Sequence, residues 1–131
     1  MRYELKFPHI DNDEIQVLIS VTKECAKEFN DSDLACILTY VNESYTTCLV
    51  ISGDDPLDDD NKENVCDILR AVRALADDFN KPIKLYTNYS FDSINYTDDK
   101  DISEIFQYIN ILVADNISYK KINNTFTLIN N

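Results

Sequence analysis

An amphipathic helix between Val65 and Phe79 is the strongest structural signal in this sequence of 131 residues. Apolar side chains recur there with i, i+3, i+4 and i+7 spacing over four turns, which gives a helix one continuous apolar face. The members of this stripe are Val65, Ile68, Leu69, Val72, Leu75, Ala76 and Phe79. Such a face has to pack against other elements, and a hydrophobic fraction of 44% is sufficient for a packed core.

Strands are predicted on both sides of this helix. Upstream, β-rich segments at 14–22, 34–41 and 44–52 follow a short strand at 2–7, and the link Asn42-Glu43 favours an antiparallel hairpin within a three-strand meander. Downstream, the predicted elements are a strand at 83–87, a short helix at 90–95, a helix at 102–114, and a C-terminal hairpin of strands at 117–122 and 125–129. We therefore predict an α/β fold (α+β mixed sheet) that forms one domain over residues 1–131.

Two segments carry a more specific pattern. Residues 61–75 (NKENVCDILRAVRAL) are similar to an acidic residue opening a helix that ends in A-L-x-A-L, and residues 85–90 (LYTNYS) are similar to a strand that ends in I-Y-T-D-S. Residues 93–95 (SIN) follow in the place of V-I-N, and residues 21–25 (VTKEC) stand where Y-T-D-G-S-C would. Together with the order of elements, these segments resemble the ribonuclease H-like family.

The resemblance implies which positions would form the metal site of that family. Its catalytic carboxylates correspond to Lys23, Asn64 and Asn88 in this chain. Magnesium needs anionic oxygen ligands at fixed positions, and an ammonium group at the centre of such a site repels the ions. We therefore expect a catalytically inactive ribonuclease H-like domain that binds no metal or cofactor and acts as a protein-interaction module, of viral or mobile-element origin.

Two alternatives remain open at this point. The first is a divergent magnesium-dependent nuclease that uses Glu24, Glu63 and Asp92 in place of the missing acids. The second is an acidic mimic of nucleic acid that inhibits a nucleic-acid enzyme. It would bind through Asp58, Asp59 and Asp60. With Glu63, these are the residues that we predict to bind a partner, in and beside an acidic loop at 54–60 that we expect to be solvated and mobile.

The net charge limits the classes of partner that this protein can bind. The chain carries 24 Asp and Glu against 12 Lys and Arg, a formal net charge of −12. This balance argues against direct binding to duplex nucleic acid and favours a protein partner with a basic surface.

The cysteines, Cys25, Cys36, Cys48 and Cys66, lack the close pairs of zinc sites, so we expect reduced, mostly buried thiols. No apolar run approaches the ~20 residues of a membrane span, and we predict an intracellular protein, cytoplasmic or nuclear.

Overall fold

The computed structural model describes residues 1–24, 27–75 and 80–129. Seven strands and four helices are found in this part of the chain. In sequence order they are β1 (Tyr3–Asp11), β2 (Glu14–Val21), α1 (Asp31–Val41), β3 (Cys48–Gly53), α2 (Lys62–Arg73), β4 (Ile83–Thr87), α3 (Phe91–Ile94), α4 (Lys100–Tyr108), β5 (Ile111–Ala114), β6 (Ile117–Ile122) and β7 (Thr125–Leu128). None of these helices is long and apolar enough to cross a membrane.

The strands form one mixed sheet whose spatial order is the same as their order in the sequence. Strands β2 to β5 are parallel to one another, whereas β1, β6 and β7 join the sheet antiparallel to their neighbours. Because strand–helix–strand connections are right-handed, a strand order without reversal places the connecting helices on one face of the sheet. Contacts of α2 with α1 and with α4 agree with a single layer of helices.

The core lies between this helical layer and one face of the sheet. Four fully buried side chains lie directly opposite one another across β2 to β5, namely Ile19, Ile51, Leu85 and Leu112. Helix α2 supplies the other side of the core, and the predicted stripe is confirmed for its buried residues Val65, Ile68, Leu69 and Val72. The predicted helix is too long, because α2 ends at Arg73 and Leu75 lies beyond it; the remaining members, Ala76 and Phe79, lie outside the described residues.

The predicted antiparallel meander is wrong, because residues 31–41 form a helix. Asn30 caps α1 by accepting hydrogen bonds from the backbone amides of Ser32 and Asp33, and Asp33 accepts one from the backbone amide of Asn30. This capping box satisfies amides that would otherwise lack partners at the helix start. With a helix in place of a strand, β3 pairs parallel to β2, so the connection at Asn42-Glu43 is not a hairpin.

The helix predicted at 102–114 is also wrong at its C-terminal half. Helix α4 ends at Tyr108, and residues 111–114 form the separate strand β5. Asn110 sits at this break, where its Oδ1 accepts hydrogen bonds from the backbone amide of Ile83 (2.8 Å) and from Arg73 (2.7 Å). The strand at 83–87, the short helix near 90–95 and the C-terminal hairpin are confirmed, and both turn residues of the hairpin, Asn123 and Asn124, have positive φ.

Candidate functional site

Three parallel strands end at one edge of the sheet and border an open cleft. Carboxyl ends of parallel strands are where α/β proteins commonly bind their ligands. The cleft has a volume of about 620 Å³ and, as the acidic cleft, is defined by Lys23, Glu24, Asp54, Asp55, Asp58, Asn88 and Tyr89. Four of these side chains are carboxylates and one is a cation, so the cleft attracts positive charge.

Asp55 fixes the loop that follows β3. Its buried carboxylate accepts hydrogen bonds from the backbone amides of Leu57 (3.0 Å) and Asn88 (2.8 Å) and from the hydroxyl of Thr87 (2.9 and 3.0 Å to its two oxygens). The side-chain amide of Asn61 donates to the Asp55 carbonyl oxygen at 3.0 Å. One carboxylate thus ties the loop after β3 to the end of β4, and the wall of the acidic cleft is held in place.

Gly53, the one glycine in the sequence, allows the chain to turn into this loop. Its φ of +105° is a backbone conformation that residues with a Cβ rarely adopt. A Cβ at this position would lie 2.1 Å from the carbonyl oxygen of Val21. The backbone amide of Asp54 donates a hydrogen bond to the Val21 carbonyl oxygen at 2.7 Å, so the end of β3 lies against the end of β2 and Asp54 lies beside Lys23.

The rim of the acidic cleft presents carboxylate oxygens to solvent. Within the described part of the chain, the Asp54 carboxylate accepts one hydrogen bond, from the backbone amide of Lys23 at 2.9 Å, and the Asp58 carboxylate accepts one from the hydroxyl of Tyr89 at 2.8 Å. The hydrogen bond to Asp58 raises the pKa of Tyr89, so the phenol stays protonated and holds this carboxylate in position. The exposed ammonium of Lys23 forms no ion pair with any described residue. Such a rim suits a guanidinium or ammonium group, because free carboxylate oxygens accept hydrogen bonds from both.

The structure brings together two of the three positions expected to form a dismantled metal site. Lys23 and Asn88 both line the acidic cleft, whereas Asn64 does not. Asn64 lies on α2, where its Oδ1 accepts a hydrogen bond from the amino group of Met1 at 3.2 Å. The convergence of all three side chains is therefore not found.

The four acidic residues predicted to bind a partner do not all line one cavity. Asp58 lines the acidic cleft, and Asp60 lines a neighbouring cavity of about 400 Å³ that also contains Lys23 and Asp58. Asp59 pairs with Lys62 at 2.7 Å, and Glu63 lies in the first turn of α2 outside both cavities. Of these four residues, only Asp58 belongs to the acidic cleft, and its role in binding stays a prediction.

The acidic loop is solvated at its two ends, as expected, but not in its middle. Asp55, Pro56 and Leu57 are buried, and Leu57 belongs to the hydrophobic core. Sequence reasoning missed Asp55 and Thr87, because no local sequence pattern predicts their contact. One signal could have indicated the geometry of the turn, since a glycine that follows a predicted strand, here the one at 44–52, often has a positive φ.

The acids of the alternative nuclease site do not converge either. Glu24 lines the acidic cleft, whereas Glu63 and Asp92 do not. Asp92 lies in α3, which follows β4. In residues 1–24, 27–75 and 80–129, no group of three or more His, Cys, Asp or Glu side chains could hold a metal ion.

Comparison with known proteins gives a different family from the one the sequence motifs resembled. The family model described as a 4Fe-4S single cluster domain matches residues 14–128. No curated protein and no solved structure matches the chain. The resemblance to the ribonuclease H-like family is therefore wrong, as is the inactive interaction module inferred from it, and a viral or mobile-element origin is not supported. This family indicates an iron–sulfur related function, and it therefore does not support the magnesium nuclease or the acidic mimic either.

The described cysteines do not fit a 4Fe-4S cluster, which is held by several converging thiolates. Cys48 is the first residue of β3 and lies opposite Gln16 on β2. Gln16 precedes Val21, the last residue of β2, by five residues or about 16 Å, so Cys48 lies at the end of the strands that is far from the acidic cleft. Cys66 lies on α2, where it accepts a hydrogen bond from Arg70 at 3.5 Å, and Cys36 lies on α1. Cys25 follows β2 and is outside the described residues.

The thiols of Cys48 and Cys66 are also in surroundings that disfavour the thiolate. Burial, followed by the nearby carboxylate of Glu14, raises the pKa of Cys48 to about 12. Burial and the carboxylate of Glu104 raise that of Cys66 to about 12 as well. Position and protonation therefore both argue that these cysteines serve as buried apolar side chains.

The match over residues 14–128 nevertheless covers most of the sequence, and the chain therefore belongs to the family of 4Fe-4S single cluster domains.

Proposed function

We propose that this chain has an iron–sulfur related role in which it contributes a binding site and not the cluster. In this role, the acidic cleft binds a basic segment of a partner protein. One contrast supports the proposal. The family is defined by a single cluster, whereas the described cysteines of this chain lie on separate elements. What remains at the carboxyl edge of the parallel strands is a cleft built to attract cations.

The electrostatics of the cleft support a guanidinium or ammonium group as the bound chemistry. Asp55 is turned inward and its oxygens are occupied by Leu57, Thr87 and Asn88, so it has a structural role. Among the described residues, Asp54 and Asp58 each accept a single hydrogen bond, which leaves lone pairs at the rim for a ligand. An arginine can donate two parallel hydrogen bonds to such a carboxylate.

The net charge of −12 supports the same conclusion at longer range. A strongly acidic protein attracts a basic partner before contact, which raises the association rate and makes it fall as salt is added. A partner with a basic surface is therefore favoured both by the whole molecule and by the acidic cleft.

Binding of a fluorescein-labelled octa-arginine peptide, measured by fluorescence anisotropy at two salt concentrations, tests the proposed site. The double variant Asp54→Asn/Asp58→Asn is compared with Asp11→Asn/Asp13→Asn, which removes the same charge from the turn between β1 and β2 at the opposite edge of the sheet. We expect the cleft variant to weaken binding about tenfold, because two contacts of about 0.7 kcal/mol each are lost. Equal weakening by both variants would mean that the peptide recognises net charge and not the cleft.

A separate measurement tests the absence of a cluster. The protein is reconstituted anaerobically with iron, sulfide and thiol, and its visible absorbance and its iron and sulfide contents are measured after desalting. We expect no stoichiometric cluster. A cluster that forms with one equivalent per chain and is lost in Cys25→Ser would overturn the cluster-free role and leave the peptide measurement unaffected.

A further inference from the structure

A second cavity lies between α3, α4 and the hairpin of β6 and β7, and its lining residues are all different from those of the acidic cleft. Its volume is about 630 Å³, within the range of small-molecule sites. Three half-buried phenylalanines, Phe91, Phe106 and Phe126, line it. We define the aromatic cavity by these three residues together with Tyr96, Gln107 and Lys121, which also line it.

The aromatic rings in this cavity are held in fixed positions. Phe126 contacts Phe106 edge to face, with ring centroids 5.5 Å apart, and contacts Phe91 edge to face at 6.4 Å. Phe91 stacks on Tyr119 at 4.3 Å. By contrast, Tyr96 is 90% exposed, so its ring is free to stack on a ligand. A planar aromatic ligand would bury Tyr96 against a preorganised floor of phenylalanines.

The charge of the aromatic cavity is opposite to that of the acidic cleft. None of its described lining residues is a carboxylate, although acidic residues outnumber basic ones two to one in the sequence. Its one charged group is Lys121, which donates a hydrogen bond to the carbonyl oxygen of Phe106 and lies 5.4 Å from the centroid of the Phe126 ring. An ammonium has three donors, so two remain for a ligand.

We propose that the aromatic cavity binds an aromatic ring that carries an anionic oxygen. The ring packs between Tyr96 and the phenylalanines, and the oxygen accepts a hydrogen bond from Lys121. Burial lowers the pKa of Lys121, and an anion beside it offsets that loss of hydration. Gln107, whose side-chain amide forms no hydrogen bond within the described part of the chain, can bind the polar edge of the ring. An aromatic carboxylate and a nucleoside monophosphate share this chemistry.

Isothermal titration calorimetry with indole-3-acetate, AMP and uncharged indole tests the proposal. We expect at least one of the two anions to bind saturably and more tightly than indole. We expect Tyr96→Ala to weaken this binding roughly 5- to 150-fold, which corresponds to about 1–3 kcal/mol of stacking. Because Tyr96 is so exposed, this variant keeps the fold intact and the test remains decisive even if Lys121→Met is poorly folded.

A neighbouring lysine provides the matched control. Lys120 lies next to Lys121 on β6, so its side chain points to the opposite face of the sheet. We expect Lys121→Met to reduce the preference for the anion over indole about tenfold and Lys120→Met to leave it unchanged. The proposal is overturned if neither anion binds wild-type protein at millimolar concentration, or if the two lysine variants lose the anion equally. Binding of indole-3-acetate alone assigns an aromatic carboxylate, and binding of AMP alone assigns a nucleotide.

Discussion

Replacing Asp55 by alanine tests the structural basis of the acidic cleft. The carboxylate is 5% exposed and accepts hydrogen bonds from Leu57, Thr87 and Asn88. A hydrogen bond to a charged group contributes about 1.5–3 kcal/mol, but the bonds are not additive and the cost of burying the carboxylate is removed with it. Alanine also tolerates the φ of +73° less well than aspartate does. We therefore expect Asp55→Ala to lower the free energy of unfolding by about 3 kcal/mol.

Urea unfolding followed by circular dichroism measures this loss. With an m value of about 2 kcal/mol per molar urea, the midpoint should fall by about 1.5 M. Asp54→Ala is the matched control, because this exposed neighbour accepts one backbone hydrogen bond and should lose about 1 kcal/mol or less. In a double-mutant cycle with Thr87→Val, the coupling to Asp55 should reach about 1 kcal/mol. A loss no larger than that of Asp54→Ala, or no coupling to Thr87, would refute the role of Asp55 as the anchor.

Three further predictions concern the turn after β3, the surface of α4 and the buried thiols. Gly53→Ala should destabilise the fold by about 3 kcal/mol or more, measured by thermal unfolding, because its Cβ would lie 2.1 Å from a backbone oxygen. The pKa of Glu104 is lowered from its ordinary value of 4.5 to about 2, mainly by its hydrogen bond with Arg70. The ionised Glu104 carboxylate therefore stabilises the fold above pH 4.5, and this stabilisation is lost as the pH falls towards 2. Glu104→Gln should accordingly flatten the dependence of the free energy of unfolding on pH across this window. Because their pKa values are raised to about 12, Cys48 and Cys66 should resist iodoacetamide in the native protein at about pH 8 and react on unfolding, as followed by peptide mass spectrometry.

Local sequence patterns predicted the elements whose signal lies within a few residues. The helical stripe from Val65, the strand at 83–87 and the hairpin closed by Asn123 and Asn124 all depend on periodicity or turn chemistry. The same approach failed at 31–41, where a dense apolar run suits a strand as well as a helix. The capping box of Asn30 and Asp33 decides between them, and it was present in the sequence.

Motif similarity was a weaker guide than periodicity. The segments 61–75 and 85–90 resemble a helix and a strand of the ribonuclease H-like family, and they do form α2 and β4. Short helix–strand signatures of this kind recur in many α/β domains, so they predicted the elements and not the family. The match over residues 14–128 uses most of the chain and corrects the assignment.

The sequence by itself determined that this is an acidic α/β protein with a strong helix, a C-terminal hairpin and no closely spaced pair of cysteines. Only the tertiary structure decided that the strands follow one another across the sheet and that Asp55 reaches Thr87. The physical reason is range: helices and tight turns are stabilised by contacts between near neighbours in the chain. The order of the parallel strands and the acidic cleft depend on pairs 27 or more residues apart, whose free energy is gained only when the sheet has formed.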